Sequence, residues 1–444
     1  MLKSSAFFLL ALLVFNCPLV AQTETIREII DNDRAYLEEL YKYLHANPEL
    51  SSHEKNTAKR IADELRGLGI DVTERVGGYG VVGVFENGPG PVVMVRSDMD
   101  ALPIREQTGV PFASTQTAVL DNGEETYVMH ACGHDMHMTV MVGTARALTE
   151  LSDRWNGTVV FIAQPAEETG TGAKDMINDG LFERFPRPDY ALALHVNSSL
   201  ASGKTGVISG YAYASVDNIT IQVKGRGGHG AHPELTVDPI IMASKLVLDL
   251  QTIISRETSA LESAVLSVGS IRGGHTANII PDEVELKITL RTFKDEVRDK
   301  IVKRIREMSD AAGKAAGLPE EEWPHIIHDD DPLPSVYNDP DLADLIVRSF
   351  ENVLGKENVA ELTPAMYGED FAMYGRVSPE IPTVIYSLGS ISPEDFALAD
   401  KGKIDAIPST HSSRFLPDMK PTMQTGILTM SSAVFDLMSS PELE

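Results

Sequence analysis

The sequence predicts an α/β protein whose discontinuous larger domain, a largely parallel sheet covered by helices, is interrupted by a smaller two-layer α+β insert. Three observations carry this reading. Apolar runs alternate with helical stretches at both ends of the chain. Between about 206 and 320 the order changes to β-α-β-β-α, the pattern of a compact two-layer unit. And 444 residues, 43% of them hydrophobic, exceed the ~250–300 residues at which single cores stop growing.

The elements follow in order. Ile26, Ile29, Ile30, Leu37, Leu40 and Leu44 recur at helical spacing over 26–45, and residues 57–68 do the same. Val81–Phe85, Pro91–Val95, Val159–Ala163 and Ala191–Leu194 read as buried strands, since a strand covered on both faces is apolar at successive positions. The helical stretch Thr139–Leu151 separates two of them. The insert reads as strand Asn218–Val223, helix Pro239–Ile254, strands Ala264–Ile271 and Glu283–Thr292, and a charged helix near 295–316. Asp329–Pro334 reads as the linker back. A helix at 340–354, the apolar strand Pro382–Leu388 and a last helix near 421–438 complete the larger domain. The expected boundaries are 1–21 for a signal peptide, 22–205 with 323–444 for the larger domain, and 206–322 for the insert.

A net charge of −27 argues against a nucleic-acid partner, because a phosphate backbone requires excess Lys and Arg. At the N-terminus, Lys3 precedes the apolar run Ala6–Phe15, with Pro18 and the small Ala21 beyond. That is the pattern of a secretory signal peptide cleaved after Ala21. The run is too short for a bilayer, which needs ~20 apolar residues, so an exported protein free of the membrane is expected. Cys17 would leave with the signal, and Cys132 alone cannot form an internal disulfide. A lone thiol is either buried and inert or chemically employed.

Metal-competent residues follow the expected strands. Ser97-Asp98-Met99-Asp100 comes after the second strand, and His130-Ala131-Cys132-Gly133-His134-Asp135-Met136-His137 opens the helix beyond it. Glu167-Glu168 and His195 follow the next two strands. In open α/β sheets the site lies beyond the carboxyl ends of the strands, so the clusters converge on one crevice. Cys132 and His134 offer a thiolate and an imidazole across a glycine turn. A helix start and a cation should both lower the thiol pKa. Adjacent carboxylates repel; a cation resolves this if one Glu binds it while the other carries a proton. An isolated His195 would read as a core histidine, and its place beside the other clusters makes it a ligand candidate. His411, in the polar stretch Ser409–Phe415, is not distinguished by its surroundings.

Ser97–Pro103, Met129–His137, Gln164–Glu168, Gly225–Pro233, Thr276–Pro281, Tyr367–Phe371 and His411–Phe415 resemble, in order, the M20 metallopeptidases. The likeness is to the branch of N-acyl-amino-acid (hippurate-type) and auxin-conjugate hydrolases. The resemblance implies two divalent ions, zinc or manganese with cobalt or nickel tolerated, held by Cys132, His134, Glu168, His195 and His411. It makes Glu167 the general base and gives Asp98 the orientation of a ligand. It makes the insert a dimerisation or lid domain of a homodimer. There His229 would steady the oxyanion, from its own or the partner subunit, and Asn278 and Arg291 would hold a substrate carboxylate. The implied substrates are N-acyl amino acids or short peptides. A dipeptidase or deacetylase on the same scaffold, or a metal-binding protein without turnover, are the competing readings. Two departures stand out: Pro417-Asp418-Met419-Lys420 after Phe415, and the extra His232, which reads as a surface variation.

Overall fold

In the computed structural model, which describes residues 18–328, 332–399, 401–403 and 407–439, the main sheet has eight strands. Their spatial order is Asp71–Val76, Gly80–Asn87, Gly157–Gln164, Val92–Asp98, Tyr190–Ala201, Thr383–Ile391, Thr205–Val207 and Val359–Glu361. The four central strands, from Gly157–Gln164 to Thr383–Ile391, run parallel. Antiparallel pairs flank them on both sides. Val93, Met94, Val95, Ala191, Leu192 and Ala193 are fully buried, because both faces are covered. Five helices cover one face: Pro18–Ala46, Lys55–Gly67, His134–Glu150, Pro340–Leu354 and Met419–Ser439. Three short ones, Gly172–Asn178, Leu181–Arg184 and Ala372–Gly375, cover the other. His134–Glu150 is buried along nearly its whole length, since it lies between the sheet and the outer helices Pro18–Ala46 and Met419–Ser439.

The insert has its own antiparallel sheet, in the order Ala264–Arg272, Glu283–Thr292, Asp217–Lys224 and His325–His328. Helices Pro239–Thr252 and Asp295–Ala315 pack on it around a separate core. The first begins where the sequence provides for it: Pro239 occupies the first turn and the Asp238 carboxylate accepts from the Ile240 amide at 2.8 Å.

The insert's limits differ from those expected. Its fourth strand, His325–His328, lies beyond residue 322, while Gly210–Tyr213 pairs with Val336–Asn338 beside the main sheet. A four-residue strand with two apolar residues is too brief to declare itself by pattern. Buried Asp217 fixes the junction, accepting from Arg298 Nη2 at 2.7 Å and lying 2.7 Å from His328 Nε2. The expected signal segment lies outside the described residues through position 17, as does the linker over 329–331. Among the described residues no helix is long and apolar enough to cross a membrane.

Candidate metal centre

The parallel strands deliver Asp98, Gln164 and His195 to the same sheet edge, Asp98 lying directly opposite Gln164. Between them sits the turn before helix His134–Glu150. Gly133 there has φ +86°, and a Cβ would meet Val196 Cγ2 at 2.5 Å. Only glycine lets Cys132 and His134 approach the sheet this closely.

Two donor groups meet at Cys132. Cys132, His134 and His195 form one, Cys132, Glu168 and His411 the other, each with its ligand atoms within 4.8 Å of one another. The Cys132 sulfur lies 3.4 Å from His195 Nε2 and 3.3 Å from His411 Nε2. His411 Nε2 is 3.4 Å from Glu168 Oε2. The histidines are aimed by their second nitrogens. His134 Nδ1 donates to the Asp100 carbonyl at 2.8 Å and His195 Nδ1 to the Val196 carbonyl at 2.8 Å. Each Nε2 is thereby left as a lone pair facing the crevice. His411 has φ +63°, and its amide donates to the Ala131 carbonyl at 2.8 Å, which swings its ring over Cys132.

Glu167 Oε2 and Glu168 Oε1 approach His134 Nε2 at 3.8 and 4.0 Å. Burial, followed by the nearby Glu369 charge, holds Glu167 well above the usual carboxylate range. Burial pushes Glu168 up to about 7. The pair divides by neighbours: Glu168 faces Cys132 and His411, whereas Glu167 faces Glu369 and Asp370. Cys132, Glu167, Glu168, His195 and His411 all line a cavity of about 860 Å³ that also takes in Arg291.

Burial and then the Glu168 carboxylate push the Cys132 thiol up, so the cation is the part of the expectation that would lower it. Two expectations change. Asp98 holds not a ligand's outer nitrogen but His137, whose Nδ1 donates to it at 2.6 Å. His137 Nε2 accepts the Val196 amide at 2.9 Å, so both its nitrogens are engaged; Asp100 is the residue behind His134. Finally, His229 and Asn278 do not line the cavity of their own chain. They share an exposed ribbon on the insert, where strand Gly228–His229 pairs with Ile279–Ile280 and the Asn278 carbonyl accepts the Gly230 amide at 2.8 Å. His232 is exposed beside them, as a surface variation should be.

Sequence reasoning assigned no role to Arg96. Fully buried, it donates to Gln164, Asp98, Glu369 and Asp370 at 2.7–2.9 Å, tying the floor of the crevice together. An arginine inside an apolar strand was the available signal, because a buried charge must be paired. Glu369 and Asp370 stood in the matched stretch Tyr367–Phe371.

The donor set fits divalent cations. His134 Nε2 and Glu168 Oε1 are buried without a hydrogen-bond partner, although nearly every buried polar atom has one. Thiolate, imidazole and carboxylate around one sulfur suit zinc and its neighbours. Site and fold together define a metal-dependent hydrolase with a discontinuous α/β catalytic domain.

The family model described as peptidase family M20/M25/M40 matches residues 94–401, and the chain belongs to that family. It is 36% identical over 352 residues to the hippurate hydrolase of Campylobacter jejuni, covering 79% of this chain and 87% of that one. To the N-acetyl-L-cysteine deacetylase of Bacillus subtilis it is 36% identical over 334 residues, with 75% and 76% covered. A solved structure of the Bacillus subtilis YXEP protein, a dinuclear metal-binding peptidase of the M20 family, superposes with a TM-score of 0.73. The identity there is 27%, covering 92% of this chain and 99% of that one.

Proposed function

We propose that this protein is an exported amidohydrolase that cleaves N-acyl amino acids or short peptides, using two divalent ions and working as a homodimer. The observation that carries it is the Cys132 sulfur common to two donor groups, in a cavity holding both Glu167 and Arg291. The names of the curated relatives, a hippurate hydrolase and an N-acetylcysteine deacetylase, point to the same substrates.

Two ions held by Cys132, His134, Glu168, His195 and His411 would polarise the scissile carbonyl and acidify a water. Glu167 accepts the water's proton and returns it to the departing amine. Arg291 receives the substrate carboxylate. It is half-buried in the cavity wall and, among the described residues, has the Thr289 hydroxyl at 3.2 Å as its one hydrogen-bonded acceptor. His229 donates to the oxyanion across a subunit interface or after closure of the insert. An interface on the insert is supported by exposed Ile241 (55%) and Leu248 (71%), two turns apart on one helix, and by the unpaired edge of Ala264–Arg272. Export is supported by the apolar run after Lys3.

The test is hydrolysis of N-acetyl, N-benzoyl and dipeptide substrates by metal-stripped protein reconstituted with zinc or manganese. Cleavage of N-acyl amino acids that depends on added metal is expected. Binding of both ions without turnover on any substrate would favour the metal-binding alternative.

A further inference from the structure

The catalytic turn is held in an uncommon backbone conformation, and the group that holds it comes from a distant part of the chain. Ala166, immediately before Glu167, has φ +53°. A non-glycine residue keeps such a conformation only where its surroundings impose it, and such residues gather at functional sites. The residue imposing it here is Glu54. Its Oε1 accepts the Ala166 amide at 2.8 Å and also the Ser52 amide at 2.9 Å. Ser52 has φ +64°. One carboxylate oxygen therefore joins two left-handed residues that lie 114 positions apart in sequence (166 − 52). Glu54 is fully buried and its Oε2 has no hydrogen-bond partner.

The same loop grips the turn at a second point. Ser51 Oγ donates to Asp100 Oδ2 at 2.6 Å, and that oxygen accepts the Glu168 amide at 2.9 Å. Alternate amides of Ala166–Glu168 are thus fixed by carboxylates, while the far side is closed by the Thr171 and Gly172 amides on the Ala166 carbonyl, both at 3.2 Å. Glu167 lies between the two anchored amides, so its direction follows from theirs.

We propose that Glu54 is a positioning residue that sets the Glu167 carboxylate by clamping the Ala166 amide, acting as a hydrogen-bond acceptor and not as a charge. The inference rests on the reading of Glu167 as the general base. Burial and then Asp100 hold Glu54 up at about 7, consistent with a side chain whose negative charge is not what the turn requires. Displacing a reacting group by about 1 Å can cost about 10²-fold in rate.

Three variants in the full chain test it, by turnover on an N-acyl amino acid, metal content, and hydrogen exchange at the Ala166–Glu168 amides. Glu54→Gln keeps the accepting oxygen, and its amide nitrogen displaces no hydrogen bond; protection is expected to persist and kcat to stay within about threefold. Glu54→Asp withdraws the acceptor and Glu54→Ala removes it. Both should lose protection at Ala166 and fall at least about tenfold in kcat with KM and bound metal unchanged. If Glu54→Ala does not fold, the contrast between Gln and Asp decides. Protection and kcat kept in the Asp variant would overturn the clamp, and a Gln variant as impaired as Asp would overturn the acceptor role. Wild-type protein with a protected Ala166 amide but no hydrolysis of any substrate would refute the general-base reading alone.

Discussion

At the strand ends, His134 and His195 are each aimed by a hydrogen bond to a backbone carbonyl, and Glu167 and Glu168 stand on a turn clamped by buried carboxylates. On the insert, His229 is exposed on a two-strand ribbon, its Nδ1 accepting only the nearby Ala231 amide at 3.0 Å. The first region is assembled by residues of its own chain. Among the described residues, the second stands apart from the cavity that those residues line. On the proposed reading, preorganisation and completion are separate properties: the crevice fixes the proposed metal ligands and base, whereas the proposed oxyanion donor would be brought by association or domain motion.

The largest effect should come from the crevice. Glu167→Gln is expected to keep both ions, by elemental analysis, while kcat falls about 10²–10⁴-fold; retained turnover would dismiss Glu167 as the base. Next comes the insert. His229→Ala should lose about 10²–10³-fold in kcat. Mixing it with Glu167→Gln under subunit exchange should restore activity if one subunit completes the other's site, because mixed dimers then contain one intact site. Activity that stays at the level of the separate variants would place His229 in its own subunit's mechanism. Arg291→Lys should be milder, raising KM about tenfold for substrates with a free carboxylate, since a compact ammonium replaces a planar fork. An equal rise for substrates amidated at that carboxyl would remove Arg291 from carboxylate recognition.

Much of the crevice was legible because its residues follow apolar strands, and a parallel sheet has one edge at which such residues meet. Cys132, His134, Glu168, His195 and His411, the set that the family resemblance implied, come close together there. Which histidines face the crevice was not legible from spacing, and only the family resemblance singled out His134: it and His137 lie on one helix, both buried, and differ in what their nitrogens already bond. For the same reason the orienting place behind His134, expected of Asp98, is taken by Asp100. Glu54 was beyond reach, since its 112-residue separation from Ala166 carries no local pattern. The insert was legible as layers but not at its far limit, where four residues complete the sheet.

The smallest effect concerns the frame beneath the crevice. His45 is buried, with Nδ1 2.7 Å from Asp135 and Nε2 3.0 Å from Glu106. Burial opposes its charge, but the hydrogen bonds to both carboxylates outweigh it and raise its pKa to about 9. A histidine raised this way stabilises the fold fully below its unfolded value of ~6.5, and that contribution fades as pH climbs through about 9. Asp135 and Glu106 are held below the usual carboxylate range, so their share is present above ~4.5 and lost in acid. His45→Gln should therefore lower Tm most between pH ~5 and ~6.5, with the gap to wild type narrowing steadily toward pH ~9. A gap that stays constant from pH 6 to 9.5 would mean that His45 is neutral in the folded protein. The comparison would then shift, because the floor under His134 would be held by neutral hydrogen bonds instead of an ion pair.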